Sequence, residues 1–221
     1  MWNDNIKTFL INTSDEIGRN RLPIALAELD KHNIPAVRYE AIKNNDGAYG
    51  LSRTMLKLFK ENIGSQIIVF EDDIVILKDG FNDFNDYMEV IMAQLPKDFL
   101  CLYLGCNLLT TPVRVASNLL KTMAAYSSHA VIYSKNCIDL MLKLWEDDKP
   151  FDMFLMQKIQ PYGKSFCTNP MLVSQRKGVS NIFNYDPKVN IGIERYYDAP
   201  TNEIDWGLFM KDQFELLTKN I

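Results

Sequence analysis

Apolar residues in this chain recur with two periods, one suited to strands and one to helices, and the two alternate along the sequence. The run at 6–11 (IKTFLI) is short and rich in β-formers, and it predicts a first strand. Thr13-Ser14-Asp15-Glu16 has the form of a capping box and marks a helix start. Pro23 interrupts the segment that follows, so that helix either begins later, near Arg21, or kinks. Leu22, Leu26 and Leu29 share one face, as in an amphipathic helix packed on a sheet. Residues 35–41 (PAVRYEA) predict a second strand, and Asn44-Asn45-Asp46-Gly47 a loop. A second helix is expected over 51–62, with Met55, Leu58 and Phe59 at helical spacing and a stop at Gly64.

The run at 66–70 (QIIVF) shows no polar alternation, the pattern of a strand covered by helices on both faces. Phe81, Phe84, Met88 and Ile91 mark a third helical face. Residues 99–104 (FLCLYL) predict another buried strand, stopped by Gly105, and 130–133 a strand after the polar cluster Ser127-Ser128-His129. Ser134 caps a helix with Ile138, Met141, Leu142 and Trp145 inward, and Pro150 opens a short helix over 151–157. Alternating strands and helices predict an α/β fold with a mostly parallel central sheet and crossover helices. From 175 the texture turns polar, with Pro187 and Pro200, so loops are expected to 202 and a terminal helix near 203–217. No repeat or low-complexity segment divides the chain, which predicts a single domain over 1–221 with a divergent C-terminal loop and helix over about 175–221.

Composition narrows the class. Hydrophobic residues at 47% and charged residues at 24% exclude a disordered chain, a collagen-like fibre and a coiled coil. No apolar run approaches the roughly 20 residues needed to span a bilayer, and the N-terminus has no signal-peptide pattern. A formal charge of −4 argues against nucleic acid as a partner; peripheral membrane association through a small patch stays open. The four cysteines, Cys101, Cys106, Cys137 and Cys167, form no CxxC pair, and His32 and His129 are isolated. Zinc of the paired-cysteine kind is not expected; reduced, buried thiols in a cytoplasmic protein are.

The chemistry concentrates at Glu71-Asp72-Asp73, directly after the QIIVF strand. In open α/β sheets ligands bind at the carboxyl ends of the strands. Three carboxylates there either form a solvated turn or take a divalent cation, and an all-oxygen donor set favours Mg²⁺ or Mn²⁺ completed by substrate phosphates. Neither GxxxxGK[ST] nor GxGxxG occurs, so a P-loop kinase and a Rossmann dehydrogenase are unsupported.

The segments FLINTSDEIGRNR, YEAI, GAYGLSRTMLKLFKENIGSQIIVFEDDI, FLCLYLG, AYSSHAVIYSK and PFDMFL occur in this order. The series resembles glycosyltransferase family 25, the lipopolysaccharide-biosynthesis and collagen-galactosyltransferase-like group, from about Lys7 to Gln175. The chain departs from the family at Arg53, where the motif usually shows His, and in its C-terminal part. The resemblance implies a GT-A fold and metal-dependent transfer of a sugar from a nucleotide diphosphate donor, such as a UDP-sugar, usually with inversion. The acceptor would be a hydroxyl of a glycan such as lipopolysaccharide or a surface polysaccharide. Glu71-Asp72-Asp73 would take the place of the DxD motif. Asp73 would be the direct ligand of Mn²⁺ or Mg²⁺, Glu71 would face the metal or sugar hydroxyls, and Asp72 would support them or also bind.

On that view the nucleotide lies beyond the first strand, beside Asn12 and Thr13. Arg19 or Arg21 is then either a phosphate partner or a solvated helix charge. Gly50 and Ser52 fall on the loop before the second helix, either as a close backbone approach to the ligand or as a plain helix start. Asp152, an acid between large apolar residues, is the candidate base for the acceptor hydroxyl, or else a helix-start acid favoured by the dipole. His129 is a candidate neighbour of acceptor or metal, or a structural histidine. Tyr126, Tyr196, Tyr197 and Trp206 are candidates for stacking, the pair Tyr196-Tyr197 on a closing loop. Two rival readings are a metal-dependent phosphoester hydrolase and a family member that binds nucleotide or glycan without transferring.

Overall fold

A computed structural model describes residues 6–77, 83–147 and 149–176. At its centre the unalternating run becomes strand β3 (Ile67–Glu71), flanked by β1 (Lys7–Asn12) and β8 (Ala125–Tyr133). The other strands of this sheet are β2 (Val37–Glu40), β5 (Cys101–Leu108), β6 (Val113–Ala116), β7 (Leu119–Lys121) and β9 (Ser165–Thr168). The spatial order is β2-β1-β3-β8-β5-β9-β7-β6. β1 runs parallel to β2 and β3, and β5 parallel to β9, while β8 and β7 are antiparallel to both of their neighbours. Six of the eight strands therefore point the same way, the mostly parallel sheet that the alternation of elements predicts. A separate two-stranded ribbon pairs β4 (Ile74–Ile76) with β10 (Val173–Gln175).

Helices cover both faces, which is why β3 is apolar throughout. Ile67 and Val69 enter one core with Met55, Leu58 and Phe59 of α2 (Gly47–Glu61), Ile138 and Met141 of α4 (Lys135–Leu144), and Phe151 and Phe154 of α5 (Phe151–Phe154). Ile68 and Phe70 enter the other, with Ala25 and Leu29 of α1 (Glu16–Asp30) and Phe84, Met88 and Ile91 of α3 (Phe84–Gln94). All four cysteines are buried free thiols.

Several boundaries differ from the sequence reading, each for a local reason. The first helix does not start late: Asp15 caps it by accepting from the Gly18 N–H, and Pro23 lies within it on its exposed side. Its buried positions are Gly18, Ala25, Glu28 and Leu29, whereas Leu26 is exposed, because Glu28 faces β4 and accepts the Ile76 N–H at 3.0 Å. The second helix begins at Gly47, four residues early, since Asp46 caps it through the N–H groups of Ala48 and Tyr49. Gly105 does not stop its strand; β5 continues to Leu108 with register shifts against β8 on either side of Gly105. The polar Ser127-Ser128-His129 cluster lies inside β8, not before it. α5 passes into a π-helical turn, Leu155–Ile159. Strands β4, β6, β7, β9 and β10 have no counterpart in the sequence reading. The expected terminal helix, Phe81, Tyr196, Tyr197 and Trp206 lie outside the described residues.

Candidate functional site

β1 and β3 run side by side and end together, so Asn12 and Glu71 emerge at the same carboxyl edge of the sheet. Alternation along β3 sends Glu71 to the α5 face and leaves Asp72 and Asp73, in the turn to β4, beside α1. The carboxylates at this edge thus have separate surroundings.

Asp72 is held within the protein. Its Oδ2 accepts from Asn12 Nδ2 at 2.8 Å and its Oδ1 from Arg21 Nη1 at 3.1 Å. Burial raises its carboxyl above the ordinary range, and Asn12 and Arg21 oppose that rise. Asn12 is itself the junction of three elements. Its second N–H donates to the Gly18 carbonyl at 2.8 Å, and its Oδ1 accepts from Arg38 Nε of β2 at 3.0 Å. With 1% exposure, Asn12 is a buried positioning group whose bonds are spent inside the chain, instead of the open nucleotide contact that its strand-end position suggests.

Asp73 is held more loosely. Gln175 Nε2 stands 3.3 and 3.4 Å from its two oxygens, and Arg21 Nη1 3.7 Å from Oδ2. Its backbone carbonyl accepts the Arg176 N–H at 2.6 Å, which ties the end of β10 to the acidic turn. Burial again raises the carboxyl, opposed by Arg21 and Gln175. Across the edge, Glu71 accepts from Ser128 Oγ at 3.4 Å. Burial pushes Glu71 well above the ordinary range, and repulsion from Asp73, Asp152 and Asp72 adds to it.

Asp152, in the first turn of α5, completes the group. Its Oδ2 accepts the Ser127 N–H at 3.3 Å, while its buried Oδ1 has no hydrogen-bond partner. Ser127 adopts φ 70°, a left-handed conformation that a non-glycine residue rarely takes, and this turns its N–H onto Asp152. Burial raises the Asp152 carboxyl, opposed by Ser128 and Ser127. Strained backbone on β8 and a π-helical turn directly after α5 flank the same acid.

The remaining sequence candidates fall elsewhere. Thr13 Oγ1 donates to the capping Asp15 at 2.8 Å, and the exposed Arg19 donates to the Ser14 carbonyl at 2.8 Å. Gly50 and Ser52 are buried inside α2, not on a loop before it. A Cβ on Gly50 would stand 2.8 Å from the Ile42 carbonyl, so the close approach made there is to the protein's own backbone. Ser52 Oγ lies 3.0 Å from the Ala48 carbonyl and 2.9 Å from that of Lys149. His129 is buried, with Nε2 3.3 Å from the Val173 carbonyl, and burial lowers it to about 4, so it is neutral at pH 7. Tyr126 is half-buried and directs its hydroxyl to the Met153 sulfur. Gln175, Ser127, Ser128 and Arg38 were missed as site residues; the polar cluster before 130 was the one signal present.

The donor set fits a hard divalent cation in chemistry: it is all oxygen, and its mutual repulsion is what a cation relieves. Among the described residues, no three His, Cys, Asp or Glu side chains stand together closely enough to hold an ion by themselves. Asp73 and Glu71 would therefore supply one or two ligands, the rest coming from water and substrate, which is the usual coordination of Mg²⁺.

No protein-family model matches the chain, and no curated protein does. Membership of glycosyltransferase family 25 is thus not shown. Solved structures with a distant likeness include a glycosyltransferase involved in glycosylation of the major capsid of PBCV-1, at 9% identity and TM-score 0.45 over 79% of this chain and 95% of that one. A Drosophila galactosyltransferase in complex with manganese, UDP-galactose and xylobiose matches at 7% identity and TM-score 0.45, over 91% and 84%. A UDP-glucose pyrophosphorylase bound to UDP-glucose matches at 6% and 0.47, over 96% and 81%. At these scores the likeness carries no argument, and the fold assignment rests on the sheet itself. No described helix is long and apolar enough to cross a membrane.

Proposed function

We propose that this chain is a GT-A-type glycosyltransferase. It would move a sugar from a nucleotide diphosphate donor, a UDP-sugar, to a hydroxyl of a glycan acceptor such as lipopolysaccharide or a surface polysaccharide, with inversion. One observation carries the reading: Asp73 and Asp152 both lie within electrostatic reach of Glu71 at one carboxyl edge of a mostly parallel sheet, with Arg21 beside Asp73. The order of segments resembling family 25 supports it independently.

Each residue then has a task set by its surroundings. Asp73 and Glu71 would hold Mn²⁺ or Mg²⁺, which when bound neutralises charge on the diphosphate leaving group. Asp72 does not touch substrate; it keeps the acidic turn in place through Asn12 and Arg21. Asp152 takes the proton of the acceptor hydroxyl. Its Oδ2 is fixed by Ser127 and its Oδ1 is buried without an internal partner, so the carboxylate is held in place with one oxygen left unsatisfied by the described residues. Burial makes this carboxylate more basic than a solvated one, which suits it to that transfer.

The test is the Asp73→Ala protein, assayed for nucleoside diphosphate release from UDP-sugars with and without a glycan acceptor. Loss of acceptor-dependent release, with the fold retained, is expected. Full activity in that variant overturns the proposal, and release that needs no acceptor favours a phosphoester hydrolase.

A further inference from the structure

We infer that Arg21 makes divalent-cation binding at Asp73 conditional on the nucleotide diphosphate. The inference rests on the donor site proposed above and concerns the order in which that site fills.

Arg21 reaches Asp72 and Asp73 unequally. Nη1 stands 3.1 Å from Asp72 Oδ1 and 3.7 Å from Asp73 Oδ2. The Asp72 contact is the anchor, because Asp72 is fixed in turn by Asn12, and Asn12 by Arg38 and the Gly18 carbonyl. The Asp73 contact is long, and the Gln175 contacts to the same carboxylate are also long, at 3.3 and 3.4 Å. Asp73 is thus the acid placed to exchange partners, while Asp72 keeps the guanidinium next to it. Separately, the buried, unpartnered Asp152 Oδ1 and the weakly held Glu71 show that this edge is not satisfied by the described residues alone.

A bare divalent ion arriving at Asp73 meets a fixed positive charge within a few ångströms and competes with it for one carboxylate. A nucleoside diphosphate reverses that balance. Its negative oxygens accept both the ion and a guanidinium, whose planar fork suits phosphate. Arg21 then opposes the ion when it comes alone and favours it when the diphosphate is present. Such a coupling acts equally in both directions, so nucleotide binding is strengthened by the ion to the same extent.

The experiment measures Mn²⁺ alone, UDP alone and each in the presence of the other, by calorimetry on the full chain. In the native protein, saturating UDP is expected to tighten Mn²⁺ by about tenfold or more, within the usual range of coupling between sites. Arg21→Gln is expected to bind Mn²⁺ alone more tightly and UDP more weakly, bringing the coupling towards unity. Arg21→Lys keeps the charge and is expected to retain the coupling. A native protein that binds both ligands with no mutual dependence overturns the inference and leaves the donor-site reading standing. So does a folded Arg21→Gln protein with unchanged Mn²⁺ affinity, or one whose coupling equals that of Arg21→Lys. A native protein that binds neither ligand, alone or together, overturns both. Opposite shifts for Mn²⁺ and UDP in one variant are a signature that loss of structure alone does not produce.

Discussion

Replacing Asn12 by Ala removes three hydrogen bonds at once, of 2.8, 2.8 and 3.0 Å. Two partners are left buried without that donor: the Gly18 carbonyl, in the first turn of α1, and Asp72 Oδ2. An unsatisfied buried group costs about 1–3 kcal/mol, and the carboxylate belongs at the upper end, so a loss of roughly 3–5 kcal/mol is expected. For a chain of this size that lowers the melting temperature by roughly 6–20 °C. Urea unfolding monitored by circular dichroism measures it, and the slope with denaturant should stay unchanged. Asn12→Asp is the informative companion, because it keeps the shape but puts an acceptor against Asp72 Oδ2 and the Gly18 carbonyl. At neutral pH it should be less stable than Asn12→Ala, and it should recover as acid protonates the facing carboxyls. An Asn12→Ala protein within about 1 kcal/mol of the native one would refute the reasoning. So would two variants of equal stability at neutral pH, since Asn12 would then not be the junction of β1, β2 and the acidic turn.

Three further outcomes follow from the same structure. A Cβ on Gly105 would lie 1.9 Å from the Val173 carbonyl and 2.6 Å from His129 Nε2, so Gly105→Ala should destabilise by about 3 kcal/mol or more, read by denaturation, and loosen the β10 end that carries Gln175. Glu28 is buried, which raises its carboxyl, yet the Lys31 bond and the Ile76 N–H lower it below its ordinary value of 4.5 on balance. Its ionised form therefore stabilises the fold above that value, and the contribution is lost as pH falls through the lowered value. The stability gap between the native protein and Glu28→Gln should accordingly narrow between pH 7 and pH 3; a gap that widens would contradict the sign, and taking the difference cancels the opposite contribution of the site acids. Asp152→Asn should lower transfer by about a hundredfold or more while leaving UDP binding in place, and near-native turnover would remove Asp152 as the base.

What the sequence by itself determined is what local pattern can encode. Helical spacing and caps placed the helices of Met55, Met88 and Met141, and the unbroken run before Glu71 announced a strand covered on both faces. That strand ending in three acids was enough to single out the carboxyl edge as the candidate site. Polar residues can occupy a strand where a left-handed residue interrupts it, so the strand was expected to start only after Ser127-Ser128-His129, which lie inside β8. Short strands such as β9 and β10 are made by partners far along the chain, and three or four residues carry too little periodicity to announce them. The surroundings of the acids were decided at the tertiary level for the same reason. Asp72 and Asp73 are neighbours in sequence, yet one is tied to Asn12, sixty positions away, and the other to Gln175, more than a hundred away. A hydrogen bond depends on where both partners are carried, and only the folded sheet brings β1, the acidic turn and β10 to one edge.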